Sequence, residues 1–339
     1  GVIVNRVDTA RLVHRQLSDA KEVGEVILLT GRMRPLDRDA LVATSLQSAM
    51  AGRDRAAVAP IVVVATQCIE AGADLDFDGL VTELASLDAI KQRFGRLDRR
   101  GDLAAGGHTA RAVILGRSDA LTNNADDPVY GKTLLPTWEY LREHSLELVV
   151  DMGVNALAER QPKPDQLARM LAPHASAPVL LPGHVDAWVH TSPFLRPEPD
   201  PDIALWLHGP RPGPQDVQVV WRADLTAEDL NNPSEDRLEG IQDSLSIVRP
   251  SSLEAVSLPV RAAAAWFREK PAVAIADVVA APAEDESPRR GGDENDPYVG
   301  FCRRRDAWEL MRASGLWPGD LVVVPAARDT GFQLVAGGR

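Results

Sequence analysis

The run Val62-Val63-Val64-Ala65-Thr66-Gln67-Cys68-Ile69-Glu70-Ala71-Gly72-Ala73-Asp74 decides how this chain folds. With Ile61 its first half is continuously apolar and β-branched, the pattern of a central strand covered on both faces. Its second half turns polar and carries a glycine, Gly72, where backbone must come close to a neighbour. Upstream, Val2-Ile3-Val4 and Glu25–Thr30 ("EVILLT") read as two more strands, and downstream Gly79–Thr82 and Thr109–Leu115 as another two. Between them lie helical stretches: Thr9–Ala20 with Asp8 as N-cap, Asp37–Met50, and Leu87–Phe94. Strands alternating with helices at this spacing predict a doubly wound parallel sheet over residues 1–118. Ligands of such sheets sit at the carboxyl ends of the strands, where Gly31, Thr66 and Arg96 fall.

The second decisive stretch is Gln92-Arg93-Phe94-Gly95-Arg96-Leu97-Asp98-Arg99-Arg100-Gly101. Arg96 and Arg99 stand three residues apart at the end of a helix, a spacing that places both on one helical face. Two planar guanidinium forks suit a polyanion such as a nucleotide triphosphate. The same residues also suit a solvated basic helix end favoured by the helix dipole. The net charge is -12 over 339 residues, which argues against a general nucleic-acid coat. Basic residues concentrate instead in two places. Lys91, Arg93, Arg96, Arg99 and Arg100 face one acid, Asp98, and Arg32, Arg34 and Arg38 face Asp37.

Taken together, "ATQCIEAGADLDF" (residues 65–77) and "QRFGRLDRRG" (residues 92–101) resemble motifs V and VI of superfamily 2 helicases, both from the second of two RecA-like lobes. The wording is most similar to the CRISPR-associated helicase–nuclease of type I systems, which unwinds and degrades DNA opened by a surveillance complex. "LLTGRMRPLDR" (residues 28–38) and "DDPVYGKTLLPTWEYL" (residues 126–141) fit it as well. The resemblance implies that Arg96 and Arg99 are catalytic, reaching the γ-phosphate of ATP across an interlobe cleft. It implies nucleotide contacts for Gln92, Gly72 and Asp74. It assigns Asn5, Arg6, Thr9, Thr30, Arg32, Arg34, Arg38, Thr66 and Gln67 to the backbone of single-stranded DNA. Such contacts position a strand without reading its sequence. With aromatics at 5%, electrostatics rather than base stacking would be the grip.

No Gly-x-x-x-x-Gly-Lys-Ser/Thr phosphate loop and no Asp-Glu pair after an upstream strand occur in the sequence. The chain also opens at Gly1 on a strand without methionine. It reads as the C-terminal portion of a larger enzyme holding half of an ATPase site. ATP and Mg²⁺ would then be bound mainly by a first RecA-like lobe. The implied partners are single-stranded DNA, that first lobe and a nuclease domain of the same enzyme, and a CRISPR surveillance complex. Asp74 and Asp76 have no third carboxylate or histidine at ligand spacing, so a metal is discounted there. His184, Asp186 and His190 form a metal-like cluster in a proline-rich segment, without the His-Asp doublet that a two-metal nuclease needs. No metal ligand is assigned.

Two cysteines, Cys68 and Cys302, are too few for a disulfide framework, and a reducing cytoplasm is the default compartment. No run approaches the roughly 20 apolar residues that span a bilayer, so no membrane partner is expected. Beyond the sheet, residues 119–280 read as a proline-rich mixed α+β accessory region. Within it Tyr130–Val150 is helical, Val217–Trp221 a strand, Leu253–Phe267 part helix and Val273–Val279 a strand. Residues 281–297 read as a flexible linker. Residues 298–339 read as a small α+β element: a helix over Asp306–Ser314, a strand in "WPGDLVVVP" and a partner strand in "GFQLVAG". Two other functions stay open, another superfamily 2 DNA or RNA translocase and a non-catalytic RecA-like scaffold.

Overall fold

The computed structural model describes residues 1–55, 60–172, 180–189, 216–231, 233–268, 296–304 and 307–327. Five parallel strands form the N-terminal sheet: β1 (Val2–Ile3), β2 (Glu25–Leu29), β3 (Ile61–Ala65), β4 (Gly79–Glu83) and β5 (Arg111–Leu115). Their order is β2-β3-β1-β4-β5. β1 has two residues but holds the centre, with Ile3 opposite Ala65 on one side and Thr82 on the other. Ile3, Val64 and Ala65 are wholly buried, as the unbroken apolar run requires of a strand covered on both faces. The mixed α/β, doubly wound architecture expected from the sequence is what forms.

Among the described residues four helices connect these strands: α1 (Val7–Ser18), α2 (Pro35–Ala43), α3 (Leu87–Phe94) and the short α4 (Asp102–Ala105). α1 starts earlier than the capping pattern indicates. Arg6, in extended conformation, stands at the N-cap and Asp8 lies in the first turn. Val7 is buried against apolar residues of the C-terminal sheet, which places it inside the helix. The single helix expected over Asp37–Met50 is broken: α2 stops at Ala43, Thr44 departs from helical angles, and Ser45–Ala49 forms a 3-10 turn. The break turns Leu46 and Ala49 into the core beneath the sheet.

α3 ends at Phe94 with Gly95 as its C-cap, so Arg96 and Arg99 do not share a helical face. Leu97 leaves the helix to pair with Phe77, and the Phe77 amide donates to the Arg96 carbonyl at 2.7 Å. Asp98 takes a positive φ of 44°. That left-handed geometry is one aspartate tolerates, and here its carboxylate caps the amides of Leu103 and Ala104. The arginine pair is therefore set by a tight turn and not by helical repeat.

Residues after β5 pack on the outer side of α3. Tyr130, Leu134, Tyr140 and Met170 bury against Leu87 and Ile90, with α5 (Leu134–Glu143) following the short helix α4 (Asp102–Ala105) in the chain. A second five-stranded sheet follows: β6 (Asp216–Arg222), β7 (Val256–Pro259), β8 (Tyr298–Arg304), β9 (Ala307–Arg312) and β10 (Leu321–Pro325), in the order β7-β6-β10-β8-β9. Here the expectation of a separate small C-terminal element gives way. β10 pairs in parallel with β6 along their length, so residues before and after the acidic 281–297 stretch build one sheet. Ala307–Arg312 is a strand, not a helix. Trp308 and Met311 are buried on its opposite faces, one in the core under helix Glu235–Ile247 and the other in that under helix Val260–Phe267. Helix Glu235–Ile247 covers one face with Ile241 and Leu245 against Phe301 and Val323, and helix Val260–Phe267 covers the other. The strands expected at Val273–Val279 and in "GFQLVAG", together with His190 and nearly all of 281–297, lie outside the described residues.

Candidate nucleotide and strand site

The carboxyl ends of β1, β3 and β4 meet at one buried side chain, Arg93. It sits on the buried stripe of α3 with Leu87 and Ile90 and is 0% exposed. Its Nε donates to Glu70 at 2.8 Å, one terminal nitrogen to Thr82 Oγ1 and the Glu83 carbonyl, and the other to Asn5 Oδ1 and the Tyr130 hydroxyl. All five guanidinium N–H groups are thus engaged. Burying a charge is costly unless it is paired and hydrogen-bonded, and this one is both. The motif reading passed over Arg93. The signal was available, because Leu87, Ile90 and Arg93 recur at intervals of three.

Arg96 is also buried, at 9% exposure, and donates to the carbonyls of Ile69 (3.0 Å) and Glu70 (2.8 Å). Burial pulls its pKa below the ordinary arginine value and the nearby charge of Arg99 adds to the effect, while Asp74 opposes it. Arg99 differs. Its side chain is 40% exposed and its Nε lies 3.2 Å from Asp74, itself 60% exposed. A solvent-facing pair of this kind contributes about 0–1 kcal/mol, so a stronger anion can displace the carboxylate. The Arg99 amide is anchored by buried Asp76 at 2.8 Å, and Asp76 also pairs with Arg55. Asp76 is thus a brace for the turn. Gly72 has a φ of 73° with open space where a side chain would stand. The loop needs glycine for its backbone angle, and its outer face is clear for a ligand. Gln92 is exposed one position before Arg93.

The residues read as strand contacts divide in two. Asn5, Thr66 and Gln67 are buried. Asn5 donates to the Leu84 carbonyl and accepts from Arg93, and Gln67 donates to the Asn5 carbonyl, so these polar atoms brace the lobe from within. Arg6, Thr9, Thr30, Arg34 and Arg38 reach the surface. Arg34 is held in a two-point pair with Asp37, Arg38 lies loosely at 3.3 Å from Asp39, and Arg6 pairs with Asp127 at 3.4 Å. Arg32 is turned to the second sheet, where it pairs with Asp216 and donates to the Ser257 carbonyl. Among the described residues no group of three or more His, Cys, Asp or Glu side chains could hold a metal ion. Nor is any described helix long and apolar enough to cross a membrane.

A parallel doubly wound sheet, with an arginine turn closing on a glycine loop at its carboxyl edge, is the arrangement that the motif resemblance implies for residues 1–118. Residues 1–102 match the family model described as CRISPR-associated nuclease/helicase Cas3, C-terminal. Among curated proteins, the chain is 32% identical over 120 residues to the CRISPR-associated nuclease/helicase Cas3 of Haloferax volcanii, covering 35% of this chain and 12% of that protein. It is 29% identical over 155 residues to the Cas3 of Streptococcus thermophilus, covering 45% of this chain and 16% of that one. The chain thus matches only a small part of the length of these relatives. Among solved structures, T. fusca Cas3 with ADP aligns over 76% of this chain and 32% of that one, at 19% identity and a TM-score of 0.42. A chain described as CRISPR RNA-guided surveillance complex, pre-nicking, aligns at 21% identity and a TM-score of 0.41, over 76% of this chain and 33% of that one. The family model and the curated relatives support the resemblance of the motifs to the C-terminal helicase part of Cas3.

Proposed function

We propose that this chain supplies the second RecA-like lobe and attached region of a Cas3-type helicase–nuclease, coupling ATP hydrolysis to movement along single-stranded DNA. One observation carries the reading. The Arg99 side chain is exposed and, among the described residues, held by a surface pair with Asp74, beside an open glycine loop at the carboxyl edge of the sheet. A guanidinium so placed can leave Asp74 for a γ-phosphate presented by a facing lobe, where it would stabilise charge developing on the transferred phosphoryl oxygens. Arg96 holds the 69–70 carbonyls, and so positions the loop. ATP fits this half-site through Arg99, and Gln92 is exposed on α3. Mg²⁺ and the phosphate loop are assigned to the first lobe, because the carboxylates here are committed to arginines and backbone amides. Arg6, Thr9, Thr30 and Arg38 reach the surface where a strand would lie, Arg6 and Arg38 by exchanging Asp127 and Asp39 for a phosphate, and a cytoplasmic location and a surveillance complex as partner follow from the same reading.

The chain assembled with a lobe that carries the phosphate loop should unwind a duplex with a 3′ single-stranded DNA overhang, using ATP. It should leave a 5′ overhang and an all-RNA duplex untouched. Equal unwinding of RNA would favour a different superfamily 2 translocase. No ATP-dependent unwinding from two folded partners would favour a non-catalytic scaffold.

A further inference from the structure

The stretch Asp127–Gly131, outside the motifs at residues 65–77 and 92–101 and after the last strand of the lobe, touches both halves of the proposed site. Asp127 and Gly131 exchange backbone hydrogen bonds at 2.9 and 2.7 Å, and Gly131 closes the loop with a φ of 58°. Asp127 Oδ1 accepts from the amides of Val129 (2.9 Å) and Tyr130 (3.1 Å), which fixes the tight turn. Its other oxygen pairs with Arg6, at the start of α1 on the strand side. From the same turn the Tyr130 hydroxyl accepts from Arg93 at 2.8 Å and lies 3.4 Å from Glu70 Oε1, on the nucleotide side. The Tyr130 ring also stacks near the Arg93 guanidinium, 5.9 Å from centre to charge.

From there contact runs on without a gap. The Glu70 carboxylate accepts from Arg93 while its carbonyl accepts from Arg96. The Arg96 carbonyl accepts from Phe77, whose own carbonyl accepts from Asp98 immediately before Arg99. Asp127 and Tyr130 of the clasp, continued through Arg93, Glu70, Arg96 and Phe77, therefore join Arg6 to the turn that presents Arg99.

Resting on the helicase reading above, we propose that the Asp127–Gly131 clasp, through Tyr130 and Asp127, is a positioning element that couples strand binding to nucleotide hydrolysis. A strand phosphate that draws Arg6 from Asp127 loosens one end of the clasp. The other end, Tyr130, is a ligand of the arginine that holds the Glu70 loop. Burial pushes the Tyr130 phenol well above its ordinary pKa, so the hydroxyl keeps its proton and can accept from Arg93 while donating toward Glu70. Tyr130 and Asp127 touch neither nucleotide nor strand in this account. They act through Arg93 and Arg6.

The test compares wild type, Tyr130→Phe, Asp127→Asn and Arg99→Ala, each assembled with the lobe that carries the phosphate loop. ATP turnover is measured with and without single-stranded DNA, and melting temperature alongside. Phenylalanine keeps the ring and its packing, and asparagine keeps an acceptor for the turn amides, so both variants preserve the fold while breaking one link each. The ratio of DNA-stimulated to DNA-free turnover should fall about five- to tenfold in both, the rate equivalent of about one hydrogen bond. A merely structural role would lower melting temperature and both turnovers together, leaving the ratio unchanged. Ratios within twofold of wild type in both variants, beside an inactive Arg99→Ala, overturn this inference alone. DNA-stimulated turnover that persists in Arg99→Ala overturns the functional reading and this inference with it.

Discussion

Arg93, Arg96 and Arg99 are spaced three apart in one short motif, yet Arg93 is wholly buried, Arg96 nearly so, and Arg99 open to solvent. The reason is local. α3 carries Arg93 inward on its apolar stripe, Gly95 ends the helix, and the turn through Asp98 swings Arg99 outward. Each residue should answer substitution differently. Arg93→Met strands Glu70 and four other acceptors, and should destabilise the fold by about 3–5 kcal/mol, as breaking a buried pair does. Arg96→Ala leaves two loop carbonyls without their donor and should cost about 1–3 kcal/mol. Arg99→Ala loses a surface pair and should change stability by less than about 1 kcal/mol. Urea denaturation of the three variants gives the order directly. An Arg99→Ala protein as unstable as Arg93→Met would mean that Arg99 is structural.

At the level of elements, the strands of the first lobe could be read because buried parallel strands are unbroken apolar runs, and β3 begins and ends where "IVVVA" does. The helix ends were harder. A helix boundary depends on tertiary contacts, and Val7 joins α1 because the second sheet receives it. The second sheet was only partly legible, since β6 and β10 pair across more than a hundred residues and local pattern carries no trace of a distant partner. Of the site, the arginines and the loop glycine are visible in the motifs, whereas the turn that parts Arg96 from Arg99 and the inward course of Arg93, Asn5 and Gln67 depend on tertiary contacts with the sheet. Within the second sheet, a Cβ on Gly300 would stand 2.2 Å from the Val323 carbonyl. Gly300→Ala should therefore force β8 away from β10 and lower the melting temperature by several degrees. An unchanged melting temperature would contradict the register. Asp229, below this sheet, is held at about 2 by Arg237, with the Thr226 amide and hydroxyl assisting. A carboxylate with depressed pKa stabilises the fold fully above its unfolded value of 3.8 and loses that contribution as pH falls through about 2. Asp229→Asn should therefore cost at most about 2 kcal/mol at pH 7, because Arg237 is half exposed, and the gap to wild type should narrow below pH 4. Denaturation curves at the two pH values check it.

Across the whole molecule, the lobe and the second sheet are joined at the loop after β2. Arg32 reaches Asp216 and the Ser257 carbonyl, Ser257 Oγ donates to Asp216 at 2.7 Å, and the Leu36 amide donates to the Leu253 carbonyl at 3.0 Å. Arg32 was read from sequence as a strand contact, and its side chain is only 12% exposed. If its role is to tie the two sheets, Arg32→Ala and Asp216→Ala should be non-additive in stability, with a coupling of about 1–3 kcal/mol. A strand-binding role predicts weaker DNA affinity for Arg32→Ala alone. The central claim is that Arg99 completes a nucleotide site shared with a facing lobe. It is tested most directly by the rate of ATP hydrolysis for the chain assembled with that lobe, in the presence of single-stranded DNA, for wild type and Arg99→Ala. The account predicts DNA-stimulated turnover in the wild-type assembly and none from the chain alone. It predicts a loss of about 10³-fold or more in the variant, with its fold intact. Turnover in Arg99→Ala within a few-fold of wild type would contradict it.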